Sequence, residues 1–377
     1  MRPGWLALLQ VLRDPRAMAA FGADEWDLVV RQARSAGLLA RLAASAHGAG
    51  IEPTLPPAVR RHMTAMLTVA TQQQRAVRWE LLQLTHVLAE IEGPVILLKG
   101  AAYAAADLPP ASGRLFSDID LLVPKTQIDA VEADLMLGGW HGMHRSAYDQ
   151  RYYRQWMHEI PPMVHIRRQT VIDLHHNILP ETARLRTRAE PIIARARPLA
   201  EFPRFRVPSP VDLVLHSATH LFHEGEWAHG LRDLVDLDAM LRAFSVKTAF
   251  WDELLETAGE MGLGRPLFYA LRYCRRLLST PIPDGTVERC PGSPSDFGAN
   301  IMDQLFVRAF STAHHSCHLV GARTATFALY VRSHWLRMPL HLLLPHLVRK
   351  AWMEEVMPHL EVGRRPGDGV DLGVRVP

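Results

Sequence analysis

Apolar positions recur along this chain with more than one spacing, and the spacing changes where the chemistry begins. Up to residue 91 the spacing is helical. Trp5, Leu8, Leu9 and Leu12 fall on one helical face, and Trp26, Leu28, Val29 and Ala33 begin another. Residues 56–91 have few breakers and carry Met63, Met66, Leu67, Val69 and Ala70, then Leu81, Leu82, Leu84, Leu88 and Ile91, which predicts one long helix. Glu92-Gly93-Pro94 ends it and permits the turn that follows. Two continuous apolar runs, residues 95–98 and 119–123, then have the length and branching of buried strands, with the helix-forming AAYAAA segment between them. Residues 127–137 form an amphipathic helix closed by Gly138-Gly139, and the runs 163–166 and 170–174 predict a hairpin across Arg167-Arg168-Gln169.

Beyond that hairpin the pattern loosens. Residues 184–206 are arginine-rich without a clear period, and Pro203, Pro208 and Pro210 mark a boundary. Helical spacing returns over 211–222, from 230 onward and over 251–278. A Pro/Gly loop covers 281–298, and helices run to about residue 356. Residues 332–352 alternate apolar and basic positions and are read as a buried terminal helix rather than a membrane-surface one, and 363–377 as a loose tail. No internal repeat is present in the sequence.

Candidate chemistry sits at the ends of the strand-like runs. Asp118 and Asp120 lie two apart on an extended backbone, so both carboxylates point to one face. Asp120 leads straight into LLV and therefore begins a buried strand, where its charge requires a partner or a metal. Asp173 lies in the hairpin's second strand and joins the pair if the strands are neighbours. Three convergent carboxylates are what two magnesium ions about 3.5–4 Å apart require. Gly100 permits a tight turn after the first strand, and the helix that follows would present its first amides to a phosphate, with Lys99 adding charge. Arg114 emerges from the Pro/Gly loop just before the acid pair, placed to grip a phosphate or to brace Asp118 or Asp120. His175, beside the third acid, is read first as a hydrogen-bonded spacer, and otherwise as a group that orients that acid or touches the acceptor.

The succession of LLKG at residues 97–100, Arg114, SDIDLLV at 117–123 and IDLHH at 172–176 resembles the uncharacterised nucleotidyltransferase family, within the DNA polymerase beta-like nucleotidyltransferase superfamily. The resemblance spans roughly residues 6–241 and is most specific around these motifs. The wider superfamily has a glycine-serine turn, an Asp-x-Asp pair and a later third acid. This chain keeps the acids, has Gly100-Ala101 at the turn, and separates Gly100 from Asp118 by 18 positions. The resemblance implies an α+β fold, with a small mixed nucleotidyltransferase-type sheet at residues 93–180. Helical regions at 1–92 and 181–362 flank it, and a tail follows at 363–377. It also implies transfer of a nucleoside monophosphate from an NTP, such as ATP, to an acceptor, small molecule or protein, that the sequence does not identify. Asp118 and Asp120 would hold two Mg2+ ions. Asp173 would complete the site of the ion that acidifies the acceptor hydroxyl and would receive its proton, while Lys99, Gly100 and Arg114 would hold the phosphates.

Composition narrows this only slightly. A 48% hydrophobic content over 377 residues fills a sizeable core, and a formal charge of +3 is too mild to argue for nucleic acid without clustering. Lysine occurs only at Lys99, Lys125, Lys247 and Lys350, which makes Lys99 an unusual choice in an arginine-rich chain. Cys274, Cys290 and Cys317 show no CxxC spacing and suit a reducing compartment. The short apolar start and the lack of a long apolar run lead to the expectation of a cytoplasmic protein with no transmembrane segment. Two other functions stay open. One is a binding protein that keeps the fold without catalysis. The other is a metal hydrolase in which His216, His220 and His223, at i, i+4 and i+7 of one helix, ligate zinc; histidines lining a helix–core interface are the preferred reading of that trio.

Overall fold

The computed structural model describes residues 3–143, 147–225, 227–311, 314–339 and 341–343. Four helices lead in: α1 (Pro3–Arg13), α2 (Ala23–Ser35), α3 (Leu39–Gly48) and the long α4 (Pro57–Val87). A mixed sheet follows, made of β1 (Val95–Leu97), β2 (Asp118–Leu122), β3 (Trp140–Gly142), β4 (Met163–His165), β5 (Val171–His175), β6 (Arg197–Pro198) and β7 (Phe205–Val207). Between its strands lie α5 (Lys99–Ala105), α6 (Ile128–Leu137), α7 (Ala147–Trp156) and α8 (Glu190–Arg195). Among the described residues six further helices follow: α9 (Pro210–His223), α10 (Gly230–Phe244), α11 (Phe250–Glu260), α12 (Gly264–Leu278), α13 (Asp296–Phe310) and α14 (Ala322–Arg337). The fold is α+β, as the sequence implies.

The strand order is β3-β4-β5-β2-β1-β7-β6. The two apolar runs become β1 and β2, which pair antiparallel near the centre, and every residue of β1 is fully buried. Burial on both faces is why these strands read as unbroken apolar stretches rather than as alternation. The hairpin of residues 163–174 forms as β4 against β5. The sheet also reaches past residue 180, through β6 and β7 in the arginine-rich segment, and β7 runs parallel to β1. Strands of two and three residues carry too few positions to show a period.

Helices α9 to α12 pack on one another, and Phe222, Trp227, Tyr269, Tyr273, Phe306 and Phe310 interlock at their centre. The apolar stretch read as one helix over 251–278 is two, because the chain turns left-handed at Gly262 (φ 68). The proposed terminal helix begins inside α14, which ends at Arg337; its part from residue 344 on, and the tail at 363–377, lie outside the described residues. No described helix is long and apolar enough to cross a membrane.

One junction fixes the approach to the acid strand. The loop after α5 reaches Gly113 (φ 70), where an added Cβ would stand 2.4 Å from the Ala40 carbonyl oxygen of α3. Arg41 of α3 donates to the Pro109 carbonyl at 2.7 Å and to that of Pro110, and pairs with Asp236 of α10 at 2.8 Å. Three distant pieces of sequence are thereby pinned beside the start of β2.

Candidate active site

β2 and β5 run parallel, with Asp118 opposite Val171, Asp120 opposite Asp173 and Leu122 opposite His175. Partners in register point to the same side and alternate residues share a face, so Asp118, Asp120, Asp173 and His175 project together. The structure thus brings the three sequence-predicted acids onto adjacent strands. Asp118 is half-buried and accepts from Ser117 Oγ at 2.9 Å, whereas Asp120 is buried.

Asp120 Oδ1 takes two nitrogen partners, Lys99 Nζ at 3.0 Å and His175 Nε2 at 3.1 Å. Burial alone would raise its pKa, but Lys99 and His175 outweigh burial and hold the carboxyl far below the usual range. Burial likewise opposes the Lys99 charge, yet the carboxylates of Asp120 and Glu224 keep its pKa above the ordinary value. His175 is raised despite burial by Asp120 on one ring nitrogen and Glu159 on the other, the latter at 3.2 Å from Nδ1. A continuous polar chain, Glu159–His175–Asp120–Lys99, therefore backs the acid face. His175 orients Asp120, not the adjacent Asp173.

Asp173 is different. Burial first, then the Asp120 charge, push its carboxyl up to about 7, and its Oδ1 is buried without a hydrogen-bond partner. An unpaired buried carboxylate oxygen beside two further carboxylates is an atom that a cation would satisfy. An all-oxygen donor set is the kind a hard divalent ion such as magnesium takes, although the ligand atoms of the three acids are not gathered within 4.8 Å of one another.

In front of Asp118 and Asp120 lies a cleft of about 210 Å³, lined among others by Lys99, Gly100, Arg114 and His220; Asp173 is not among its lining residues. The left-handed backbone falls at Lys99 (φ 44), one residue before the glycine expected to make the turn. A non-glycine residue there costs about 1–2 kcal/mol; the conformation accompanies the return of Nζ to Asp120. Gly100 serves close approach instead, since a Cβ would stand 3.0 Å from Phe116 Cδ1. Arg114 braces neither Asp118 nor Asp120. Its Nη1 pairs with Asp236 and stands 3.7 Å from Asp233, both on α10, while its guanidinium lies 5.6 Å from the centre of the Tyr103 ring.

The α9 histidines do not form a ligand set. Helical rise separates His216 from His223 by about 10 Å. Burial and Lys99 lower His216 to about 3, while burial with Arg337 and Arg332 lowers His223 to about 4. His220 is engaged by Glu224 at 2.7 Å. Among the described residues the His, Cys, Asp and Glu side chains whose ligand atoms gather within 4.8 Å are His158, Glu159 and His175.

Sequence reasoning missed Glu159, Glu224 and Asp236. His220 and Glu224 are four apart, and that helical spacing was a usable signal. Glu159 reaches His175 through an isolated bridge across the sheet and Asp236 meets Arg41 over 195 positions, so neither has a local signature.

No curated protein and no solved structure matches the chain. A family model described as "Uncharacterised nucleotidyltransferase" matches residues 22–279, a stretch that holds the whole sheet, the acid face and the cleft in front of it. By a match over more than half of its length, the chain belongs to the uncharacterised nucleotidyltransferase family.

Proposed function

We propose that the protein transfers a nucleoside monophosphate from an NTP to an acceptor, with release of pyrophosphate, at the face formed by Asp118, Asp120 and Asp173. The observation that carries this reading is the register of β2 and β5, which sets Asp120 beside Asp173 while Asp173 Oδ1 lacks a partner. Magnesium ions held by the three carboxylates would neutralise charge on the phosphates and activate the acceptor hydroxyl. The chain's own groups prepare the site. His175 and Lys99 both grip Oδ1 of Asp120, which fixes its orientation and leaves Oδ2 for a ligand. Lys99, Gly100 and Arg114 line the same cleft as Asp118 and Asp120, and a triphosphate there would meet the Lys99 ammonium and the Arg114 and Arg232 guanidiniums.

Titration of each NTP into the protein by calorimetry tests this. Saturable binding that requires magnesium is the expected result, and a folded protein that binds no NTP, with or without magnesium, would sink the reading. Nucleotide binding without pyrophosphate release in the presence of candidate acceptors would instead favour a binding protein on the same fold, a possibility that Gly100-Ala101 raises by placing no hydroxyl at the turn.

Acidity gives an independent check. With the Asp173 carboxyl at about 7, a proton occupies below that pH the oxygen a cation would take. Proton and metal compete, so affinity for a divalent ion is expected to rise by about tenfold per pH unit up to about pH 7 and to level off above it. Calorimetry at several pH values measures the slope, and Asp173→Asn should flatten it. A slope unchanged in that variant would remove Asp173 from the donor set.

A further inference from the structure

The C-terminal helices hold a groove that shares no lining residue with the acid cleft. It runs between α12, α13 and α14 and has a volume of about 790 Å³, within the roughly 300–1,000 Å³ of small-molecule sites. Three guanidiniums line it, those of Arg184, Arg265 and Arg332, and no carboxylate is among its described lining residues.

Several buried or half-buried guanidiniums elsewhere meet an acid, as Arg41 and Arg114 do at Asp236, Arg168 at Glu80, Arg195 at Asp212 and Arg272 at Asp303. Others are satisfied by carbonyl oxygens, Arg204 by three and Arg275 by two. Arg332 meets no acid among the described residues and reaches a single carbonyl. It donates to the Phe222 carbonyl at 2.8 Å, bonds the Tyr269 side chain, and lies 5.7 Å from the centres of the Tyr269 and Phe306 rings. Burial lowers its pKa, Tyr269 opposes the drop, and the nearby Arg265 adds to it. A desolvated cation whose neighbours are another cation and aromatic rings is stabilised by an incoming anion.

The walls supply the second half of the recognition. Trp335 is 45% exposed and Ile301 47%, and the Arg184 guanidinium stacks on Trp335 at 3.9 Å from the ring centre. Tyr269, Met302 and Leu336 continue the apolar surface. A hydrated inorganic ion would leave those walls unused, and a neutral apolar molecule would leave the guanidiniums uncompensated.

We propose that this groove binds an organic monoanion with an apolar body, a carboxylate on an acyl or aryl group. The head group sits among Arg184, Arg265 and Arg332, and the body lies against Trp335, Tyr269 and Met302. The site stands independently of the nucleotide reading.

The test uses the full chain and 8-anilinonaphthalene-1-sulfonate fluorescence, with octanoate, octan-1-ol and magnesium-free ATP as competitors. The expected result is one saturable site from which octanoate displaces the dye at least tenfold more effectively than octan-1-ol or ATP. Because Arg332 is partly buried and its loss risks the fold, the variant is R184E/R265E, at two exposed arginines that donate to the Trp335 and Gly292 carbonyls and form no ion pair among the described residues. It should keep its thermal transition and weaken dye and octanoate binding at least tenfold. Absence of a saturable site overturns the proposal, as do equal displacement by the alcohol or binding unchanged in a folded R184E/R265E. Displacement by ATP as strong as by octanoate overturns the ligand class.

Discussion

Asp236→Ala is expected to lower the unfolding free energy by about 3–5 kcal/mol, the usual cost of removing one partner from a buried ion pair. Asp236 is 2% exposed and serves two guanidiniums, Arg41 from α3 on Oδ1 and Arg114 from the loop before β2 on Oδ2. Their side chains are only 11% and 10% exposed, so solvent screens little of the charge left behind. Burial already pulls Arg41 down to about 10, and burial together with the neighbouring Arg232 lowers Arg114, so both guanidiniums are poorly hydrated before the carboxylate is lost. Urea denaturation followed by circular dichroism measures the change. A control separates the uncompensated charge from lost packing: Arg41→Met added to Asp236→Ala should restore part of the loss, since one of the two orphaned charges is removed with its stem largely kept. A loss below about 1 kcal/mol in the single variant would mean that water reaches the pair and that the junction is not what holds the loop to α10.

That junction also marks the border between what the sequence makes legible and what it hides. Asp118, Asp120 and Asp173 can be read because strand alternation fixes their face and because the hairpin pattern places β5 in the sheet. β1 and β2 can be read because strands covered on both faces concentrate apolar residues. Asp236 looks like one acid of a charged helix face until the fold carries Arg41 and Arg114 to it. Arg114 itself was open to two readings, a phosphate clamp or a brace on the acid pair, and its partner proved to lie on a helix more than a hundred positions away. The turn at Lys99 escapes for a related reason. Glycine is the residue that left-handed backbone favours, so Gly100 attracts the assignment, while the salt bridge to Asp120 accompanies the same strain at its neighbour. Local pattern reports burial and alternation, and long-range charge pairing leaves no trace in it.

Asp118→Asn should separate function from stability more cleanly than any other change at the acid face. Asp118 is half-buried, lies at the end of β2 nearest the cleft, and accepts one hydrogen bond from the adjacent Ser117. The amide keeps the volume and can still accept that bond, so stability should stay within about 0.5 kcal/mol of the wild type. Removing the charge does more to a bound phosphate chain. A magnesium–nucleotide complex meets one fewer anionic oxygen, and the expected outcome is a loss of at least about a hundredfold in magnesium-dependent NTP affinity, about 2.7 kcal/mol. Asp120→Asn would give an ambiguous loss, because it also strips the counter-charge from Lys99 and His175. Calorimetric titration of the best-binding NTP with and without magnesium, alongside thermal unfolding of both proteins, provides the comparison. A folded Asp118→Asn protein that binds magnesium–NTP as tightly as the wild type would place the nucleotide away from the acid pair. The three carboxylates would then have to be explained by the buried polar chain of Glu159, His175 and Lys99 alone, a role that Asp173, with its unpaired Oδ1, does not fill.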